Sequence, residues 1–297
     1  MHPVFLDSEL SDAEREQSSA RFTIIPMPIE RTVSYGTGTR HGPAAIIEAS
    51  NQLERLCGNT EPCTAGIHTE APIDCNGPLP EVMQRLAKRT YNAVMQQKIP
   101  VTLGGEHSLT YGAVKGIQRA LDQSNSSGNS DIGIIQIDAH ADLRDAYQEE
   151  PHSHASVMHL LASEGIRLAQ FGVRALCTEE VAQRSRYKVF HVDAEKLVTE
   201  SIHAVDLPED FPGNIYVSFD LDGLDPSEMP ATGTPVPGGL SFYQSLNLVK
   251  HGLKGRRLVG FDVVELAPAD GWPGWNFTAA QITYCLMGLS ATRQASP

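Results

Sequence analysis

Cysteine is scarce and irregularly placed: Cys57, Cys63, Cys75, Cys177 and Cys285 are odd in number and form no CxxC pair. Neither a disulfide framework nor a zinc ribbon is indicated, and a reducing compartment fits best. Positive charge is also short. Against 36 Asp and Glu stand 23 Lys and Arg, a formal charge of −13. That balance argues against a nucleic acid or an anionic membrane as partner and leaves room for a cationic substrate. No long apolar run opens the chain. Its N-terminus, MHPVFLDSELSDAERE, is acidic and lacks the core of a signal peptide or membrane span, so a cytoplasmic protein is expected. Internal repeats are absent. The Ser/Asn-rich stretch DQSNSSGNS (122–130) reads as a surface loop between a helix and a strand, not as a linker.

What is present is an ordinary globular composition, 41% apolar and 20% charged over 297 residues, long enough for one large core. A single domain over 1–297 is expected, with 1–20 as an N-terminal arm. β-Branched apolar runs recur at 21–25, 99–103, 132–137, 168–173, 187–192, 215–219 and 258–264, with a short extra strand near 65–69. Helical periodicity lies between several of them, at 81–97, 109–121 and 242–253. Alternating strands and helices predict an α/β fold on a parallel sheet covered on both faces. In such sheets ligands bind beyond the carboxyl ends of the strands.

Three of the runs end in polar clusters. After 99–103 comes GGEHS, where Gly104 and Gly105 permit an unusual backbone and present His107. After 132–137 comes DAHAD, with Asp138, His140 and Asp142 in alternation; after 215–219 comes DLDGLDP, with Asp220 and Asp222. If the strand geometry persists, residues i, i+2 and i+4 share a face and the three groups of DAHAD converge. Buried without compensation they would be costly. A DxHxD alone could equally be a capping or surface cluster. Three such clusters, each after an apolar strand, point to metal. Six ligands suffice for two ions with bridging oxygens. A carboxylate-rich set suits Mn²⁺, with Zn²⁺, Ni²⁺ and Co²⁺ left open.

In that order GGEHS, DAHAD, SFDLDGLDP with MPATGTPVPGG, and GFDVVELAP resemble the ureohydrolase family of arginases and agmatinases. SYGTGTRHGPAAIIEAS also looks like that family's N-terminal segment, so the resemblance runs from about Phe22 to a helix at 278–289. It implies a three-layer α/β/α sandwich on a mainly parallel, eight-stranded sheet, and two Mn²⁺ per subunit. His107, Asp138, Asp142 and Asp220 would hold one ion; Asp138, His140, Asp220 and Asp222 would hold the other. Glu106 stands where the family usually has Asp, and Ala231 where Gly is common; neither departure removes a ligand.

The chemistry follows from the substrate class. Two divalent ions make a hydroxide nucleophile available near neutral pH. A cationic, planar guanidinium must be held with its carbon facing that nucleophile. Glu265, in VVELAP, matches the family's glutamate for the purpose and can pair bidentately with N–H groups. Asp142 would relay a proton to the leaving amine, and His154 in HSHAS would exchange it with solvent. His152 and His159 are its bland neighbours. The loop LRDAYQEEPHSH carries Asp145, Glu149 and Glu150, suited to a cationic tail, and Cys177 stands where arginases carry an acid. LRDAY…SHAS looks like the agmatinase branch. Agmatine, giving putrescine and urea, is the leading substrate, ahead of aminopropylagmatine, guanidinobutyrate or arginine. A one-zinc deacylase of the same fold and an inactive regulatory homologue are the alternatives from other classes. A homo-oligomer, trimer or hexamer, is expected.

Overall fold

Each β-branched run becomes a strand, and all pairings are parallel. In the computed structural model, which describes residues 2–124, 131–269 and 271–291, the strands are β1 (Phe22–Met27), β2 (Ile67–Thr69), β3 (Ile99–Gly104), β4 (Ile132–Ile137), β5 (Arg167–Phe171), β6 (Phe190–Val192), β7 (Asn214–Asp220) and β8 (Arg257–Val264). They form one eight-stranded sheet in the order β2-β1-β3-β8-β7-β4-β5-β6. The helices are α1 (Asp12–Arg15), α2 (Gly42–Ser50), α3 (Leu79–Met95), α4 (Leu109–Ser124), α5 (Val157–Ser163), α6 (Thr178–Arg186), α7 (Ala194–Thr199), α8 (Phe242–Gly252) and α9 (Gly274–Ala291).

Central strands are mostly apolar and buried along nearly their whole length because both of their faces are covered. Ile135 and Ile137 of β4 pack with α2, α8 and α9 through Ile46, Leu248 and Ile282. Ile132 and Ile134 pack on the opposite side with α3, α4 and α5 through Leu86, Ile117 and Leu161. This is the expected sandwich. No helix among the described residues is long and apolar enough to cross a membrane.

Some expectations shift. Asp122–Ser124 close α4 instead of opening a loop, and 125–130 lie outside the described residues. Tyr187 caps α6, so β6 begins only at Phe190. Residues 2–20, expected as an arm, lie against the chain's own β2 and α2. Phe5 and Leu6 are fully buried, with their N–H groups donated to Thr69 Oγ1 (3.1 Å) and Ser50 Oγ (2.7 Å). The cysteines are unbridged.

One row of the sheet positions the site. Leu103 of β3, Val263 of β8, Phe219 of β7 and Ile137 of β4 are paired in register across four adjacent central strands. The polar segments that follow them therefore leave the sheet at one level, side by side. A Cβ on Gly105 would lie 1.8 Å from the Ile29 carbonyl oxygen, so only glycine lets the β3 turn pass this close to the segment after β1.

Candidate metal centre and active-site cleft

β4 stops at Ile137, so the convergence of DAHAD does not come from a continued strand. The loop is folded by its own polar groups. Asp138 Oδ1 accepts the His140 N–H (2.6 Å), and Oδ2 accepts Gln136 Nε2 (2.7 Å). Asp142 adopts φ +51, a left-handed conformation in which a residue other than glycine is strained. On β7, Asp220 Oδ1 accepts the Asp222 N–H (2.9 Å), which starts a 3-10 turn over Leu221–Gly223. A Cβ on Gly223 would meet the Asp138 backbone N at 2.7 Å; its absence lets the two strand tips touch.

Five of the six candidate ligands gather into two groups that share Asp138: His107, Asp138 and Asp220, and Asp138, His140 and Asp222. His107 Nδ1 lies 3.2 Å from Asp138 Oδ2, 2.9 Å from Asp142 Oδ2 and 3.2 Å from Asp220 Oδ2. His140 Nδ1 lies 3.1 Å from Asp222 Oδ2 and 3.6 Å from Asp138 Oδ1. The placement of Asp220 in the second group rests on the family resemblance alone.

The orientation of His107 tests whether this set suits a cation. Asp262, fully buried on β8, accepts hydroxyls from Thr110 (2.7 Å), Tyr216 (2.7 Å) and Ser218 (2.9 Å). With its proton committed there, Ser218 Oγ must accept from His107 Nε2 at 2.8 Å. Nδ1 is then the nitrogen left facing three carboxylate oxygens, and it is buried without a well-aligned hydrogen-bond partner. A lone pair aimed at three acidic oxygens needs a cation between them.

The electrostatics agree. Burial alone would depress the His107 pKa, but Asp138, Asp142 and Asp220 hold it well above the ordinary value. Against the same burial, Asp222 and Asp138 push His140 up to about 12. Burial and the Asp138 charge raise Asp142 to about 7, and burial with Asp222 and Asp138 raises Asp220 well above the carboxylate range. The cluster draws in protons wherever positive charge is missing. Divalent ions fit in their place.

A cleft of about 330 Å³, its open mouth included, lies over the cluster. His107, His140, Asp142, His154, Asp220, Asp222 and Glu265 line it, with Asp138 beneath. Glu265 is also in the left-handed region, φ +66. Its Oε1 accepts the His107 N–H (2.7 Å), and its own N–H is donated to the Gly105 carbonyl (2.9 Å). Burial and the nearby Glu106 push its carboxyl well above the usual range. Among the described residues it has no Lys or Arg ion-pair partner. A cationic ligand would supply one.

The sequence missed the other wall, made by Val33, Ser34, Tyr35, Gly36, Gly233 and Thr234. SYGTGTR was visible as a motif but gave no sign of which side chains face the cleft. Asp145, Glu149 and Glu150, expected to meet a substrate tail, are not among the lining residues. Asp145 accepts Gln183 Nε2 (2.7 Å), and Glu150 caps the His152 N–H (2.8 Å). Glu180 was also unread. Its two oxygens accept the Leu143 (3.1 Å) and Cys177 (2.8 Å) N–H groups, tying the DAHAD loop to α6.

The sheet order and the strand-end cluster of imidazoles and carboxylates define an arginase-like α/β/α protein with a centre suited to divalent cations. The family model described as the arginase family matches residues 20–288, and the chain belongs to that family of ureohydrolases. It is 33% identical to an N(1)-aminopropylagmatine ureohydrolase of Synechocystis sp., over 96% of this chain and 92% of that one. It is 32% identical to an agmatinase of Pyrococcus horikoshii, over 92% and 93%. The agmatine ureohydrolase structure of Thermoplasma volcanium superposes with a TM-score of 0.80 at 25% identity, covering 95% of this chain and 94% of that one.

Proposed function

We propose that the protein is a dinuclear-manganese hydrolase of a guanidino compound with a cationic tail, converting agmatine to putrescine and urea. One observation carries this: Glu265, a buried carboxylate with no Lys or Arg ion-pair partner among the described residues, shares a cleft with five of the six candidate metal ligands. His107, Asp138, Asp142 and Asp220 would hold one ion, and Asp138, His140, Asp220 and Asp222 the other. Bound there, the pair would supply a nucleophilic water at neutral pH.

The protein's own groups do the rest. Glu265 Oε2 and the remaining lone pair of Oε1 accept guanidinium N–H groups and hold the plane over the cluster. Asp142, which lines the cleft beside His107, can take a proton from the nucleophile and deliver it to the departing amine. His154, held below its ordinary value by burial, is neutral at pH 7 and able to carry that proton to and from solvent.

Aminopropylagmatine is the second substrate reading, favoured by the name of the Synechocystis relative. The outer wall of the cleft, with Tyr35 87% exposed, carries no acid that would end the tail at a fixed length. Urea release from Mn²⁺-loaded enzyme on agmatine, aminopropylagmatine, guanidinobutyrate and arginine tests both. The two amine-tailed compounds should lead. Preference for arginine, or no urea from any, contradicts the proposal. A trimer or hexamer in the cytoplasm belongs to the same proposal, and light scattering that finds a monomer at micromolar concentration would refute the assembly.

A further inference from the structure

The segment after β1 reaches across to His154 through a single hydroxyl. Thr32 Oγ1 lies 2.9 Å from Glu106 Oε1 and 3.1 Å from His154 Nδ1, and it accepts the His154 backbone N–H at 3.0 Å. Glu106 is fully buried, and donors surround it. Its Oε2 accepts the backbone N–H groups of Arg31 and of Thr32 (2.7 Å), and its Oε1 accepts the hydroxyls of Ser108 (2.7 Å) and Thr32. Four donors fill the four lone-pair positions of a carboxylate, which has no proton to offer in return.

That occupancy fixes the direction of every proton in the chain. The Thr32 hydroxyl proton is committed to Glu106, so Oγ1 can only accept from its other two neighbours. One is the His154 backbone N–H; the other must then be an Nδ1–H. A bare Nδ1 would set a nitrogen lone pair against an oxygen lone pair at 3.1 Å. The imidazole packs in a T-shaped arrangement with the Tyr147 ring, centroids 5.3 Å apart at 74°, which limits its rotation.

We propose that Thr32, pinned by Glu106, is a positioning residue that holds His154 as its Nδ1–H tautomer and leaves Nε2 as the nitrogen that exchanges protons in the cleft. The proposal deepens the function given above and rests on His154 being the proton shuttle there. Thr32 does not touch substrate. It acts through His154, by removing the tautomer that free histidine prefers and by fixing the ring's angle. The Glu106 side chain reaches Oγ1 directly.

The test compares Thr32→Val, which keeps shape and removes the hydroxyl, with Thr32→Ser, which keeps the hydroxyl. Metal content, kcat and KM for urea release are measured alongside the nitrogen resonances of ¹⁵N-labelled His154 in the metal-free protein. Thr32→Val should lower kcat at least about tenfold with KM within about twofold and unchanged metal content, while Thr32→Ser stays within about threefold of the parent. The parent's His154 should show Nδ1–H, and Thr32→Val should move it toward Nε2–H. Parental kcat in Thr32→Val, a Thr32→Ser enzyme as slow as Thr32→Val, or an Nε2–H tautomer in the parent would overturn the proposal. If Thr32→Val does not fold, the serine variant and the parent spectrum decide. Absence of urea from every guanidino compound would refute the assigned activity, while the tautomer still decides the role of Thr32.

Discussion

Glu265→Gln is the most incisive single change, because the structure dictates how the new amide must sit. In the parent, Oε1 is fixed by the His107 N–H at 2.7 Å. A glutamine on the same backbone must offer its carbonyl oxygen to that donor, since an NH₂ there would face another N–H. Its amide nitrogen is then turned to the place where Oε2 stood and presents N–H groups to the guanidinium N–H groups. The variant loses the counter-charge and gains a donor–donor contact. Losing a buried, charge-assisted pair of this kind costs about 3 kcal/mol, at least about a hundredfold in kcat/KM. Metal content should not change, because Glu265 lies outside the six ligands.

The same substitution has a second readout with a definite sign. Burial and Glu106 raise the Glu265 pKa in the folded, metal-free protein. A carboxyl raised on folding binds its proton more tightly in the native state, so it makes the fold less stable as pH rises above the unfolded value. Removing it should leave the metal-free variant at least as stable as the parent at pH 7.5, with the difference vanishing near pH 4. Urea release and metal analysis, read beside thermal melts at both pH values, check all three statements. Near-parental turnover at full metal occupancy would show that Glu265 does not hold the guanidinium.

Asp138→Ala should lose both ions because Asp138 belongs to both ligand groups, whereas His107→Ala should weaken mainly one; metal titration by calorimetry separates them. Ser218→Ala releases the Nε2 end of His107 and should weaken metal binding about 10- to 100-fold without removing a ligand. Metal affinity should rise with pH through the neutral range: His140, at about 12 without metal, and Asp142, at about 7, must give up protons as ions bind. Calorimetry in buffers of different ionisation enthalpy would detect those protons, and an affinity that is flat with pH would count against the assigned ligands.

Strand ends were legible in the sequence because two signals coincide there, a β-branched run and a sudden change to Asp, His and Gly. That coincidence located β3, β4 and β7 and the residues that follow them. It gave the groups, not their geometry. The alternation in DAHAD suggested a continued strand, whereas the loop turns through a left-handed Asp142 and closes on its own hydrogen bonds. Short helices such as α5, seven residues long, carry too few turns for a period to show. Residues contributed from far along the chain were hidden for a different reason. Thr32 meets His154 across 122 positions and Glu106 across 74, and Glu180 meets Leu143 across 37, separations that only the folded sheet order resolves. The acidic loop at 145–150 misled because composition reports charge, not direction.

The proposed chemistry depends first on the metal centre. Anomalous diffraction from crystals loaded with Mn²⁺ should show two ions about 3.5 Å apart, one beside His107 and the other beside His140, with Asp138 between them. A single ion, or none after loading, would contradict it.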